Sequence, residues 1–216
     1  MPSTDAAVRP DAVVAALREA ILRRELEPAS AVTEAHVATT YAVARPTARI
    51  AIDRLVADGL LTREPHHAAR VRRLGRDDID DLFVTRAAIE ATAVELLAAA
   101  SAAPAEAREA NRALLDLSAD ASYAGRDIAF HRALVRGTTS TRLPRLHDLL
   151  MGEIELGIAQ VEAHGLRSAE EVAADHQSIL DAIAAGDVES AGRLARAHVL
   201  ASRDRLVAHY DATHER

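Results

Sequence analysis

Beyond Gly75 the sequence is a series of apolar-periodic stretches. They are separated by Pro104, Gly125, Gly137-Thr138, Gly165 and Gly186-Asp187, and no alternating strand pattern lies between these breaks. Proline and glycine interrupt regular structure most strongly, and the intervening apolar residues recur at helical spacing. The pattern predicts helices near 77–101, 104–121, 123–137, 141–164, 167–185 and 187–212. Six helices joined by short breaks pack most readily as an antiparallel all-α bundle. Alanine, the best helix former, is abundant, while aromatic residues make up only 2%. Without cysteine there is no disulfide framework and no thiolate chemistry. No stretch is long and apolar enough to span a bilayer, and MPSTDAAVRPD lacks the apolar core of a signal peptide. Cytoplasmic residence, with no membrane partner, is the resulting expectation.

The first third has a different plan. Over roughly 8–25, Val13, Ala16, Leu17, Ala20 and Ile21 recur at helical spacing, with Pro10-Asp11 at the start and Pro28 beyond the end. Thr33 is a suitable N-cap for a short helix through Ala38. After TTYAV a third helix begins near Arg45, carries its apolar stripe on Ala48, Ile52, Leu55 and Val56, and stops at Asp58-Gly59. Short pieces at 60–63 and 70–73 flank Pro65-His66-His67 and read as a β-hairpin. Three helices and a hairpin in so short a span make a winged helix-turn-helix. The fold class expected is therefore mainly α, with a winged helix-turn-helix over 8–74 and the helical bundle over 75–216.

Charge follows the same division. Residues 1–74 hold 11 Arg against 9 acidic residues, a balance of +2; residues 75–216 hold 15 Arg against 24, a balance of −9. The two add to the net −7 of the chain. A mildly basic module joined to an acidic one suits a nucleic-acid reader on a non-binding domain. The third helix, in VARPTARIAIDRL, places Arg45 and Arg49 one turn apart at its front. A recognition helix presents its N-terminal residues to base edges, where arginine grips guanine with two hydrogen bonds or clamps phosphate. Arg54 lies further along, toward backbone or solvent, and Arg70, Arg72 and Arg73 on the hairpin are within reach of phosphates. An exposed helix carrying arginines only for solubility would look similar.

Three stretches of the bundle carry inward histidines. In GRDIAFHRAL, Asp127 and His131 share a helical face with Phe130 and Leu134. His176 heads the stripe Ile179, Leu180 and Ile183, and His198 follows Leu194 by one turn. One carboxylate and three imidazoles suit Zn²⁺, Ni²⁺, Mn²⁺ or Fe²⁺, with Zn²⁺ the first expectation. Each histidine taken singly is more plainly an ordinary hydrogen-bonded one, since the chain has ten.

Residues 12–74 resemble the DNA-binding domain of GntR-family transcription regulators. Thr33-Glu34, Val37-Ala38, Val43, Arg45, Arg49, Ala51, Leu55 and Gly59-Leu60 keep that family's residue or its type. The DNA-facing set this implies is Arg45, Thr47, Arg49, Ile50 and Arg54, with His67 and Arg70 on the hairpin. Ala44 stands where the family has a capping serine, and Pro46-Thr47 reverses the usual order. If Arg45 takes the cap, Pro46 falls at the first helical position, where its missing N–H costs nothing. Ile50 replaces a polar residue and is suited to a thymine methyl. Ala68 stands at the wing tip in place of glycine.

Residues 76–212 resemble the FCD ligand-binding domain of the FadR branch of that family. Asp127 and His131 match its D-x-x-x-H element, and His176 and His198 match its two later histidines. The resemblance implies that these four residues bind a metal ion and that the effector is a small carboxylate or hydroxy acid. Arg86 matches an arginine common on the domain's first helix, where it would meet the ligand carboxylate; a salt bridge to Glu90 at i,i+4 is the equal alternative. Ser140 or Thr141 stands in place of a Gly-Asn pair, making Ser140 an expected effector contact. The whole is then a repressor that acts as a homodimer on an inverted-repeat operator in double-stranded DNA. The alternative is an all-α metalloenzyme acting on a small carboxylate, with Asp175 or Glu171 as base, which leaves the arginine helix unexplained. A third is a metal-free bundle that only binds DNA.

Overall fold

The computed structural model describes residues 10–116, 123–160 and 167–214, which fall into two compact units divided between Leu74 and Gly75. The expected helix ends over 117–121 and 161–164, and the break at Gly165, lie outside the described residues.

In the first unit, α1 (Pro10–Leu22) buries Val13, Leu17 and Ile21, an i,i+4,i+8 stripe, against α3 (Arg45–Ala57). α3 answers with Ala48, Ala51, Ile52 and Leu55. Each large apolar side chain so buried contributes about 1.5–3 kcal/mol relative to exposure. Between them lies α2 (Glu34–Thr40), whose N-cap Thr33 accepts from the His36 amide at 3.2 Å. The turn from α2 to α3 passes through Ala42 at φ 52°, a left-handed conformation unfavourable for alanine.

Two details differ from expectation. The N-cap of α3 is Ala44, in extended conformation with no side-chain cap, so Arg45 is the first helical residue and Pro46 the second. The positive φ of the wing falls on His66 (φ 66°), not on Ala68. The hairpin is also part of a larger sheet. β1 (Ala31–Val32) joins β2 (Leu61–Thr62) and β3 (Ala69–Val71) as an antiparallel sheet of order β1-β3-β2, with Val32 opposite Ala69 and Leu61 opposite Val71. Gly59, at φ 79°, turns the chain from α3 into β2, as a left-handed C′ residue should.

The second unit is all helix among the described residues: α4 (Arg76–Ala99), α5 (Ala105–Leu115), α6 (Ala124–Arg136), α7 (Leu143–Gln160), α8 (Ala169–Ala185) and α9 (Val188–His214). α9 runs antiparallel to α4. Arg76 meets Asp211 at 3.1 Å and Arg203 meets Asp80 at 3.5 Å, while a Cβ on Gly192 would run into the Glu95 side chain. Ser168 and Glu171 form a reciprocal capping box at the start of α8, and Gly186 (φ 72°) ends it. Val94, Leu97, Phe130, Leu134, Ile179, Ile183 and Ala195 form one apolar cluster shared by α4, α6, α8 and α9. That cluster is the floor beneath the histidines.

Candidate functional site

Asp127 and His131 on α6, His176 on α8 and His198 on α9 meet in the second unit, with one ligand atom from each lying within 4.8 Å of all the others. Asp127 Oδ1 is 3.5 Å from His131 Nε2 and 3.3 Å from His176 Nε2, and the Nε2 atoms of His176 and His198 face each other at 3.3 Å. Atoms bound to one ion at about 2.1 Å lie roughly 3.0–3.4 Å apart when adjacent and at most about 4.2 Å apart when opposite, so the three short spacings suit one small cation and the widest would close slightly around it. His131 and His176 are 1% and 0% exposed and His198 6%. The Phe130 ring lies parallel to His176 with centroids 3.6 Å apart, which fixes that imidazole from behind.

The outer nitrogens decide which tautomers the imidazoles adopt. His198 Nδ1 donates to Asp175 Oδ2 at 3.2 Å, and the same oxygen takes Arg167 Nη1 at 2.6 Å. His131 Nδ1 lies 2.6 Å from Glu90 Oε2. A carboxylate on Nδ1 keeps the proton there and turns the Nε2 lone pair toward the centre, as histidine ligands of metals require. Both His131 nitrogens are buried without a well-formed hydrogen bond, Nδ1 lying 2.6 Å from Glu90 Oε2 and Nε2 3.5 Å from Asp127 Oδ1. The facing Nε2 atoms of His176 and His198 both present lone pairs when Nδ1 holds the proton. A buried nitrogen without a good hydrogen bond costs about 1–3 kcal/mol, and a cation at this centre would take the Nε2 lone pair of His131. The donor set therefore fits a metal ion.

Electrostatics agree. Burial pushes His176 down to about 3 and also lowers His198, so both are the neutral imidazoles that coordinate. For His131, burial and the Arg86 charge oppose protonation, but Glu90 and Asp127 outweigh them and raise its pKa. Burial likewise opposes ionisation of Glu90 and Asp127. Arg86, His131 and His147 nevertheless hold Glu90 well below the usual carboxylate range, and His131 and His176 hold Asp127 there.

Arg86 forms the salt bridge that its i,i+4 spacing to Glu90 predicts. Its Nε donates to Glu90 Oε1 at 2.7 Å, and it also lines a cavity of about 60 Å³ together with Asp127 and His198. Sequence reasoning missed the rest of this network. Glu90, 1% exposed, also accepts from His147 Nε2 of α7 at 2.9 Å. Only the Arg86–Glu90 spacing hinted at it. Ser140 lies elsewhere: its Oγ accepts from the amides of Arg142 (3.3 Å) and Leu143 (3.1 Å), satisfying N–H groups at the start of α7, and it does not line the cavity. Asp175 Oδ2 is shared between His198 Nδ1 and Arg167 Nη1.

In the first unit, Arg45, Arg49 and Ile50 are exposed on α3, Ile50 at 46%, and Thr47 is half-buried. Arg49 Nε is loosely placed between Glu34 (4.0 Å) and Asp53 (3.9 Å). Arg54 pairs with Asp11 of α1. On the wing, Arg70 Nη1 donates to the Ala29 carbonyl at 2.9 Å, and His67 Nδ1 sits 2.9 Å from the Pro65 carbonyl. Arg45 thus has no side-chain partner among the described residues, Arg49 is only loosely held, and Arg54 and Arg70 are engaged within the unit.

Comparison with known proteins gives the same two-part picture. Residues 10–71 match the model for bacterial regulatory proteins of the gntR family, and residues 81–201 match the FCD domain. A relative from Paenarthrobacter nicotinovorans, described as "Probable D-xylose utilization operon transcriptional repressor", is 29% identical over 174 residues, covering 79% of this chain and 76% of that one. An HTH-type transcriptional regulator from an unstable DNA locus of Streptomyces ambofaciens is 29% identical over 198 residues, covering 87% and 80%. The fold is shared with a GntR transcriptional regulator from Rhodococcus sp. RHA1, at TM-score 0.74 and 24% identity over 92% of this chain and 97% of that one. No described helix is long and apolar enough to cross a membrane. The chain belongs to the gntR family of bacterial regulatory proteins, carries an FCD domain behind its winged helix-turn-helix, and is a DNA-binding transcription regulator rather than an enzyme.

Proposed function

We propose that this regulator is a repressor whose second unit holds one divalent metal ion, Zn²⁺ first among the candidates, and senses a small carboxylate or hydroxy acid beside it. The observation that carries this reading is the convergence of three Nε2 atoms and Asp127 Oδ1 at one buried centre. Asp127, His131, His176 and His198 would hold the ion, which would supply a Lewis-acidic anchor for a ligand oxygen. Glu90 and Asp175 orient two of the imidazoles from behind. Arg86 faces the same cavity and would pair with the ligand carboxylate.

In the first unit the DNA-facing residues would be Arg45, Thr47, Arg49 and Ile50, with Arg54, His67 and Arg70 toward the backbone. A homodimer would place two such helices on an inverted repeat, one helical turn or a multiple of it apart. Effector control requires two conformations that differ in DNA affinity, one of which binds the effector better. The name of the Paenarthrobacter relative supports repression as the direction.

The test is the double variant His176→Ala, His198→Ala, assayed for metal content by mass spectrometry and for melting temperature. Loss of the metal with a lowered Tm is the expected result. A variant that keeps its metal and melts like the parent would show that the ligand set is wrong.

A further inference from the structure

The cavity beside the histidines has more cationic lining than a monocarboxylate needs. Arg86, Arg167 and Arg205 all border it, with Tyr123 and Ser202. Two of the three arginines have carboxylate partners: Arg86 bonds Glu90 and Arg167 bonds Asp175. Arg205 has no acidic partner among the described residues, and its Nη2 is buried without a hydrogen bond. A buried guanidinium nitrogen left unpaired is costly, the more so because it carries charge.

The position of Arg205 follows from α9. His198, Ser202 and Arg205 stand at i, i+4 and i+7 on one face, so Arg205 lies about 10 Å along the helix axis from the histidine ligand. Tyr123, just before α6, has its hydroxyl pKa raised by burial and the Asp127 charge, against which the Arg167 and Arg205 charges act. The cavity thus joins a histidine–aspartate centre to a separate patch of Arg205, Tyr123 and Ser202. With neutral histidines, a divalent ion and three guanidinium groups face Glu90, Asp127, Asp175 and Glu171, leaving an excess of one positive charge on the side of Arg205.

We infer that the effector is a short dicarboxylate, one carboxylate held at the Arg86 side of the centre and the second by Arg205 with Tyr123. This rests on the metal-loaded sensor proposed above and narrows its ligand class. Arg86 and Arg205 line the same cavity, so a single ligand there can meet both.

Malate and lactate test the inference well, because both are 2-hydroxy acids and malate adds the second carboxylate. Calorimetric titration of the full-length, metal-loaded protein should give malate at least tenfold tighter binding than lactate. Arg205→Gln should erase that difference by weakening malate alone, with metal content unchanged; Arg205→Lys, which keeps the charge, should retain a preference for malate. Equal binding of the two acids by the parent, or a malate preference that survives Arg205→Gln, would overturn the second anion site. In either case lactate binding that depends on Arg86 would leave the proposed sensor standing. If neither acid binds the metal-loaded parent, the sensor's ligand class falls together with this inference.

Discussion

The two units of this chain use arginine in opposite ways. In the first, Arg45 and Arg49 are exposed on α3, with at most loose acidic neighbours. In the second, Arg86 is 2% exposed and closed into a network with Glu90, His131 and His147. Exposed charge in water contributes little to stability, so the first unit can keep its cations available for an outside partner. A buried charge must be matched within the fold, so the second unit's chemistry is inseparable from its stability. A surface that reads a polyanion and an interior that recognises a small ion therefore respond differently to mutation.

The largest effect should come from Glu90→Ala. It strips the shared partner from Arg86, His131 and His147, all buried. Breaking a buried pair from one side costs about 3–5 kcal/mol, or a fall in Tm on the order of 10 °C. Calorimetric melting of the metal-stripped protein would measure it. A variant that melts like the parent would break the contrast drawn here. Arg49→Ala comes next, with the opposite signature. Loss of one base or phosphate contact should weaken operator binding by about 1–3 kcal/mol, roughly 5–150-fold, with Tm and metal content unchanged. Fluorescence anisotropy at fixed salt reads this directly; unchanged affinity would remove Arg49 from the DNA-facing set. The smallest effect sharpens the comparison within α3. Ala44 is extended and caps nothing, so Ala44→Ser should add about 1 kcal/mol to the stability of the first unit, seen as a later urea midpoint. No gain would mean that this helix end is satisfied in another way.

How far the sequence anticipated these features depends on how local each one is. Helix positions follow from punctuation and period, so the expected 123–137 and 187–212 correspond to Ala124–Arg136 and Val188–His214. β1 is two residues long and exists only through pairing with Ala69 and Arg70, so no periodicity marks it. Arg45 rather than Ala44 seemed a possible cap because cap identity depends on ψ, which the residue types there leave open. Asp127 and His131 share a face by helix geometry alone, whereas their meeting with His176 and His198 needs three helices in register. Within the sequence only the family resemblance linked them. Glu90 was visible as a partner for Arg86, but its bond to His147 joins residues 57 apart. Ser140 was placed by analogy of position, and its hydroxyl serves a helix start instead.

The most direct test of the central claim is anomalous diffraction from crystals of the protein purified without added metal or chelator. One ion should appear within about 2.0–2.2 Å of the Nε2 atoms of His131, His176 and His198 and of the Asp127 carboxylate. An anomalous map with no peak among those four side chains, from protein in which they are ordered, would contradict it.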